Sequence, residues 1–420
     1  MRTKISTICI ALCVLFMFIS NKTDAQTNST YKELKGKIID ADTKKPLSFT
    51  DLAVSESNIS TITNTDGEFL LKISANLLDK TLVISHLGYE KQEIKISLFS
   101  NYEKITLIPA VTELTEVSIS TLKGNAKLMV LEVLKNKSYA HSTDSKIMTA
   151  FYRETIKKRR KNASLSEAVV QIHKQPTNSL KRDGIDLIKA RKSTDYTRLD
   201  TLAIKLQGGP FSNLYTDVVK YTEYIFNEDN LDLYKFSFDK STQINNSLVY
   251  VINFKQNSFI NTPLYFGKLY VDAETLALTS ALFHLNVSNK ELSSKMYVRK
   301  KPKKVDVYPT QATYRVNYRT QNGKWHYAYS NILLSFKVNW KGKLFNSTYT
   351  LNSEMAITDW KHNTDKYARI KNTMLRPTTI LTDKASGFSD PEFWGEYNII
   401  EPEKSIESAI AKIKRQLKRT

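Results

Sequence analysis

GKLYVDAETLALTSALFHL, residues 267–285, alternates apolar and polar side chains on both sides of the turn Asp272-Ala-Glu-Thr275. Successive strand residues point to opposite faces, so this period of two predicts a pair of antiparallel strands. The pattern runs on: Phe283, Leu285 and Val287 share one face, while Leu282, His284 and Asn286 share the other. Flanking runs such as SLVYVINFKQ, ATYRVNYRT, WHYAYSNILLSFKVNW and LFNSTYTLNSEMAI extend it from Leu248 to Ile357, with tight turns at Asn322-Gly323 and Lys341-Gly342. Strands of ten or more residues joined in sequence predict one large curved antiparallel sheet, not a second sandwich. Its apolar concave face is expected to hold a lipid, acyl chain or glycan.

Upstream, residues 34–119 contain shorter β-rich runs, among them LKGKIID, SFTDLAV, FLLKI, TLVIS and KITLI, separated by polar turns. That spacing predicts a small β-sandwich. Within it TITNTDGEFLLKI, residues 61–73, places Asp66-Gly67 between apolar runs. Asp-Gly tolerates positive φ, so the stretch reads as the tip of a hairpin, with Asp66, Gly67 and also Gly88 as structural turn residues. A calcium loop needs several oxygen ligands at fixed spacing, and only Asp66 and Glu68 supply carboxylates here.

The combination of Gly36, Asp40, Pro46-Leu47, Thr65-Asp66-Gly67-Glu68-Phe69 and Leu87-Gly88-Tyr89 resembles the carboxypeptidase-regulatory-like domain. The resemblance implies a transthyretin-like, seven-stranded sandwich, found in secreted Gram-negative proteins and at the front of TonB-dependent nutrient receptors. It brings no peptidase chemistry, because a zinc carboxypeptidase uses H-x-x-E and no His in this chain has a Glu three residues later. The segment from 267 to 285 is also similar to hairpins of the outer-membrane lipoprotein carriers, whose half-barrel cradles acyl chains. AFYRE, SEAVV, ARKSTD, KLQGGP and FSDPEFWGEYNIIEPE look like a group of exported proteins with the regulatory-like domain at their front.

At the amino terminus Arg2 and Lys4 precede the apolar run Ile5 to Ile19, followed by Thr23-Asp24-Ala25. This predicts a signal peptide over residues 1–25 and an exported protein, in the periplasm or against the outer membrane; the run is short of the ~20 residues that a spanning helix needs. Cys9 and Cys13 both lie in that segment, so cysteine nucleophiles and cysteine-ligated zinc are excluded from the mature chain. Net charge is +20, but residues 34–119 hold nine Lys/Arg against twelve Asp/Glu. The basic excess therefore belongs to the chain after residue 119, which marks two modules of different electrostatics.

Residues 120–145 read as a helical connector with Ala126, Met129, Val130, Val133 and Leu134 on one face. Residues 146–381 form the curved sheet domain, opening with a hairpin whose tip is the basic run Lys157 to Lys161. Residues 382–420 are a linker, an aromatic motif with Phe393, Trp394 and Tyr397, and an amphipathic helix carrying Ile406, Ile410, Ile413 and Leu417. That helix either packs on the body or makes a peripheral membrane contact.

No nucleophile elbow, phosphate-binding loop, dinucleotide fingerprint or H-E-x-x-H is present, and the six His lie at no ligand spacing. No metal or other cofactor is expected. Glu154 and Glu167 fall on adjacent strands of the first hairpin and could face each other as a glycosidase pair, although Arg153 favours structural ion pairing. The basic excess would suit nucleic acid, but export argues against that and for anionic envelope components. The whole reads as a mainly β, non-catalytic binding or assembly protein. Its candidate binding residues are Arg153, Glu154, Lys158, Arg159, Arg160, Arg191, Lys192, Arg299, Lys300 and Lys301. The alternatives are a glycan hydrolase with paired carboxylates and an accessory partner of a TonB-dependent outer-membrane receptor.

Overall fold

A computed structural model describes residues 31–110, 124–194, 207–225, 227–298, 301–342, 344, 346–363, 374–387, 393–404, 406 and 408. The expected signal segment, Arg299, Lys300 and most of the stretch expected to form the carboxy-terminal amphipathic helix lie outside the described residues.

The first module is a sandwich of β1 (Tyr31–Asp40), β2 (Asp51–Val54), β3 (Ser60–Ile62), β4 (Glu68–Ser74), β5 (Thr81–Ser85), β6 (Gln92–Lys95) and β7 (Glu103–Leu107). One sheet has the order β4-β1-β7 and the other β3-β2-β5-β6. Alternate residues of both sheets, among them Leu34, Ile38, Leu52, Leu71, Leu82 and Ile84, are fully buried between them. The Asp66-Gly67 turn corrects the hairpin reading. It joins β3 to β4, which belong to different sheets, so the turn is an arch from one layer to the other. Asn64 organises it: its Oδ1 accepts from the N–H groups of Asp66 and Glu68, both at 2.9 Å. Gly67 has φ +75°, and a Cβ there would stand 2.6 Å from the carbonyl oxygen of Ile38, so only glycine fits.

The second module contains α1 (Ala126–Lys135), α2 (Lys137–Ala140), β8 (Lys146–Lys158), β9 (Lys161–Lys174), β10 (Gly184–Thr194), α3 (Pro210–Leu214), β11 (Tyr234–Ile244), β12 (Ser247–Gln256), β13 (Tyr265–Asp272) and β14 (Leu278–Leu285). It continues with α4 (Lys290–Tyr297), β15 (Val305–Gln321), β16 (Lys324–Trp340), β17 (Ser347–His362) and the short β18 (Ser386–Gly387). All its strands form one sheet in the order β11-β12-β13-β14-β15-β16-β17-β8-β9-β10-β18. Strands β12 to β17 are the expected meander, and β11 adds one antiparallel strand before it. The hairpin β8–β9 and β10 extend it beyond β17, because β8 pairs antiparallel with β17 along its whole length.

The two faces of this sheet meet different partners. One is covered by α1, α3 and the turns from Thr216 to Leu233, with Met129, Val133, Phe211, Leu214 and Val219 packed onto Ala150, Tyr152, Val170, Ile252 and Val271. Tyr297 of α4 packs on the same face, against Phe336. Asn213 fixes α3 by donating from Nδ2 to the carbonyl of Ser330 (3.1 Å) while its Oδ1 accepts from Ser353 (2.8 Å). The face expected to cradle a lipid is thus filled by the chain's own helices, and the cavity left beneath α1 measures about 30 Å³, water-sized. The opposite face receives the sandwich and residues 393–401: Ile62, Leu70, Trp394, Ile399 and Ile400 pack against Phe151, Val169, Tyr329 and Ala356.

Candidate binding surface

The long strands place one end of the sheet far from the sandwich. The sandwich grips β15 through Arg319 and Asp51, and from Arg319 to Val305 the strand runs roughly 45 Å at ~3.3 Å per residue. At that far end four chain segments come together by register. The β8–β9 tip meets the start of β17, with Arg159 N–H donating to the carbonyl of Thr348 (2.7 Å). The stretch before β15 meets the β16–β17 turn, with Lys341 N–H donating to the carbonyl of Lys304 (3.0 Å).

The result is a basic rim. Arg159, Arg160, Lys161, Lys301, Lys303, Lys304 and Lys341 are exposed there, with Lys158 half-buried beside them. Arg159 takes φ +55° so that the two-residue tip can close. Asp306 pairs with Lys301 at 3.6 Å, one acid among many cations. Leu344, 94% exposed, projects from the β16–β17 turn, and Met296 of α4 is exposed nearby in the chain. The rim therefore combines positive charge with isolated apolar tips.

Of the residues expected from the sequence, Lys158, Arg159, Arg160 and Lys301 reach this rim, while Arg299 and Lys300 lie outside the described residues. Arg153, Glu154, Arg191 and Lys192 do not. Arg153 and Arg191 are buried in an alternating ion ladder across four neighbouring strands, Glu354, Arg153, Glu167 and Arg191. Arg153 Nε donates to Glu167 Oε1 at 2.8 Å, and Arg191 Nε donates to Glu167 Oε2 at 2.8 Å. Arg153 also reaches Glu354 (3.3 Å) and donates from Nη2 to the carbonyl of Ile400 (2.8 Å). Trp394 lies 4.7 Å from the Arg191 guanidinium and closes the ladder off. Burial alone would raise the Glu167 carboxyl, but the two guanidiniums outweigh it and hold it below the usual range. Lys192 points to the other face and donates to the carbonyl of Thr382.

Glu154 corrects the paired-acid reading. It lies opposite Ser166, one residue out of step with Glu167, so the two carboxylates sit on opposite faces of the sheet. They cannot flank one substrate. Glu154 is fully buried under α3, accepts from the Tyr152 hydroxyl (2.8 Å), and has no cation at ion-pair distance among the described residues. Burial pushes its carboxyl up to about 7, against the opposing effect of the Tyr152 hydrogen bond. The folded state therefore holds a proton that the unfolded chain releases near pH 4.5, and stability falls as pH rises from about 4.5 to about 7. Glu154→Gln is expected to remove that slope and to stabilise the protein at pH 8 by on the order of 3 kcal/mol, read from urea midpoints of both proteins across pH 4–8.

A third cluster, unseen in the sequence, lies beneath α2. Lys174 Nζ bridges Asp183 (2.8 Å) and Asp217 (2.7 Å), and the hydroxyls of Tyr221 and Tyr318 donate to the same two carboxylates at 2.8 Å each. His141 and His326 line the adjoining cavity of about 20 Å³, room for a water. Burial drives them to about 4 and about 3, so both are neutral at pH 7. Among the described residues no group of three or more His, Cys, Asp or Glu is placed to hold a metal ion.

Residues 34–119 match the family model of the CarboxypepD_reg-like domain. A comparison with curated proteins finds no match. Among solved structures, a DUF1329 family protein from Desulfovibrio piger ATCC 29098 is similar at 9% identity, over 58% of this chain and 95% of that one, with a TM-score of 0.25. A LolA superfamily protein from Nitrosomonas europaea is similar at 11% identity, over 54% and 93%, with a TM-score of 0.20. The chain thus carries a CarboxypepD_reg-like domain at residues 34–119, joined to a long-stranded, mainly antiparallel sheet.

Proposed function

We propose that this is an exported, non-catalytic binding protein of the bacterial cell envelope, and that the basic rim of its large sheet docks on an anionic membrane leaflet. The observation that carries this reading is the convergence of four segments into one cationic edge, roughly 45 Å of strand from the sandwich. Phosphate-bearing headgroups attract such an edge by about 1 kcal/mol per Lys or Arg near the surface. Leu344 and Met296 are placed to enter the headgroup layer while the sandwich faces away.

Vesicle co-sedimentation tests it. The protein is expected to bind vesicles containing phosphatidylglycerol, to ignore pure phosphatidylcholine, and to release as salt is raised. Reversing four rim charges, Arg159→Glu, Arg160→Glu, Lys303→Glu and Lys304→Glu, is expected to lower affinity at least a hundredfold. Vesicles carrying lipopolysaccharide serve as a separate arm and identify which leaflet is preferred. Equal binding to neutral and anionic vesicles, or an unaffected quadruple variant, would refute the reading.

A further inference from the structure

Besides the packing of Ile62 and Leu70 on β8, β9, β16 and β17, polar contacts hold the sandwich to the sheet on either side of a cleft. On one side, Arg319 of β15 donates to Asp51 (Nε to Oδ2, 2.7 Å) and to the Ser60 hydroxyl (2.6 Å). On the other, Gly88 N–H donates to the carbonyl of Gln243 (2.8 Å) and Lys91 N–H to Asn246 Oδ1 (3.1 Å) at the β11–β12 turn. The cleft left between has a volume of about 450 Å³, within the range of small-molecule sites.

Its walls differ in chemistry. The sandwich side offers Ala53, Ile62, Val83 and Leu87, and the sheet side offers Ser280, Arg315 and Asn317. Most of the ionised lining groups are already matched: Arg319 with Asp51, Lys91 with Glu93 at 2.7 Å, and Glu56 with Lys80 at 2.6 Å. Arg315 is not. It is half-buried, makes no hydrogen bond or ion pair among the described residues, and rests 5.2 Å from the ring of Phe49, which is stacked on Tyr329. Beside it Asn317 accepts the Ser280 hydroxyl on Oδ1 (2.8 Å), which leaves its NH₂ without a protein partner among the described residues. His86, across the cleft, is pushed down to about 4 by burial and then by Arg315, so it adds no second charge at pH 7.

A guanidinium carries five donors in a planar fork that fits carboxylate and phosphate, and here the fork is prepositioned by an aromatic shelf with the nearby acids engaged elsewhere. We infer that the cleft is a binding site for one small organic anion, a carboxylate or phosphate carried on an apolar body. Arg315 takes the anionic group, Asn317 donates beside it, and the body lies against Ala53 and Val83. This site is separate from the rim, and neither needs the other.

The probe is 8-anilinonaphthalene-1-sulfonate, an apolar anion, titrated into the full chain and followed by fluorescence. One saturable site per chain is expected. Arg315→Ala should weaken it at least about tenfold, as should Asn317→Ala to a smaller degree, with unchanged circular dichroism for both. Phenyl phosphate and benzoate, as competitors, distinguish a phosphate site from a carboxylate site. The rim variant with four reversed charges should keep dye binding while losing vesicles, and Arg315→Ala should do the reverse. Equal dye affinity in wild type, Arg315→Ala and Asn317→Ala, or the lack of any saturable site in wild type, overturns the inference.

Discussion

Glu167→Ala is expected to cost about 3–5 kcal/mol of stability, because it removes the one carboxylate that two buried guanidiniums share. Glu167 is fully buried and each of its oxygens serves a different arginine, Arg153 on β8 and Arg191 on β10. Taking two charges out of water is costly, and their attraction repays this only while the pairing is complete. With the central carboxylate gone, Arg153 keeps Glu354 at 3.3 Å and two tail carbonyls, while Arg191 loses a two-point carboxylate contact and still rests against the rings of Phe393 and Trp394. Denaturant midpoints of wild type, Glu167→Ala and the triple variant Arg153→Met/Glu167→Leu/Arg191→Met check the argument. The triple variant should lose less than the single one, since it leaves no guanidinium without its carboxylate, and Glu354, whose carboxyl burial already raises, can take up a proton once Arg153 is gone. A Glu167→Ala protein as stable as wild type would show that the ladder is hydrated in solution.

Lys174→Ala should be comparably severe and should carry a pH signature. Lys174 holds two carboxylates, Asp183 and Asp217, in the fully buried cluster under α2. Burial alone would raise Asp217, but Lys174 outweighs it and keeps it below its ordinary value. A depressed carboxylate contributes stability that is present above its unfolded pKa and lost as pH falls. Without the ammonium, Asp183 keeps Lys220 at 3.9 Å but Asp217 is buried with no cation at ion-pair distance among the described residues, so the variant gains by protonating Asp217. The deficit, about 3–5 kcal/mol at pH 7, should therefore shrink as pH is lowered towards 4. Midpoints measured for both proteins at pH 7 and pH 4 decide it, and a deficit that grows in acid would refute the assignment.

Much of the architecture was legible because alternation and turn chemistry are local. The period of two in β13 to β17, the Asn322-Gly323 and Asp272–Thr275 turns and the regulatory-like motif all lie within short stretches. The candidate site was less legible, and Glu154 shows why. From a tip that pairs Lys158 with Lys161, an unbroken ladder would set Glu154 and Glu167 diagonally on one face. A bulge between Ile156 and Lys157 moves the register by one, so Glu154 pairs Ser166 and Glu167 turns to the far side. One inserted residue thus separates a plausible acid pair into a buried lone carboxyl and the hub of an ion ladder. The filling of the apolar face was hidden for a different reason: Asn213 and the turns after it bind strands more than a hundred residues away. Likewise the rim became visible only when register brought tips at residues 159, 304, 341 and 348 together.

The joint between the modules has a consequence for the order of biosynthesis. Asn398 mimics a neighbouring strand, accepting from the N–H of Lys72 at 2.6 Å and donating to its carbonyl at 3.0 Å. Asn64 donates to the carbonyl of Glu401, 337 residues away in the chain. Each module can gather its own strands as it leaves the ribosome, but this clasp cannot close until residue 401 has been made. A nascent chain arrested before that point presents Phe151, Val169 and the Arg153 side of the sheet to solvent, the kind of surface on which chaperones act and from which aggregates grow.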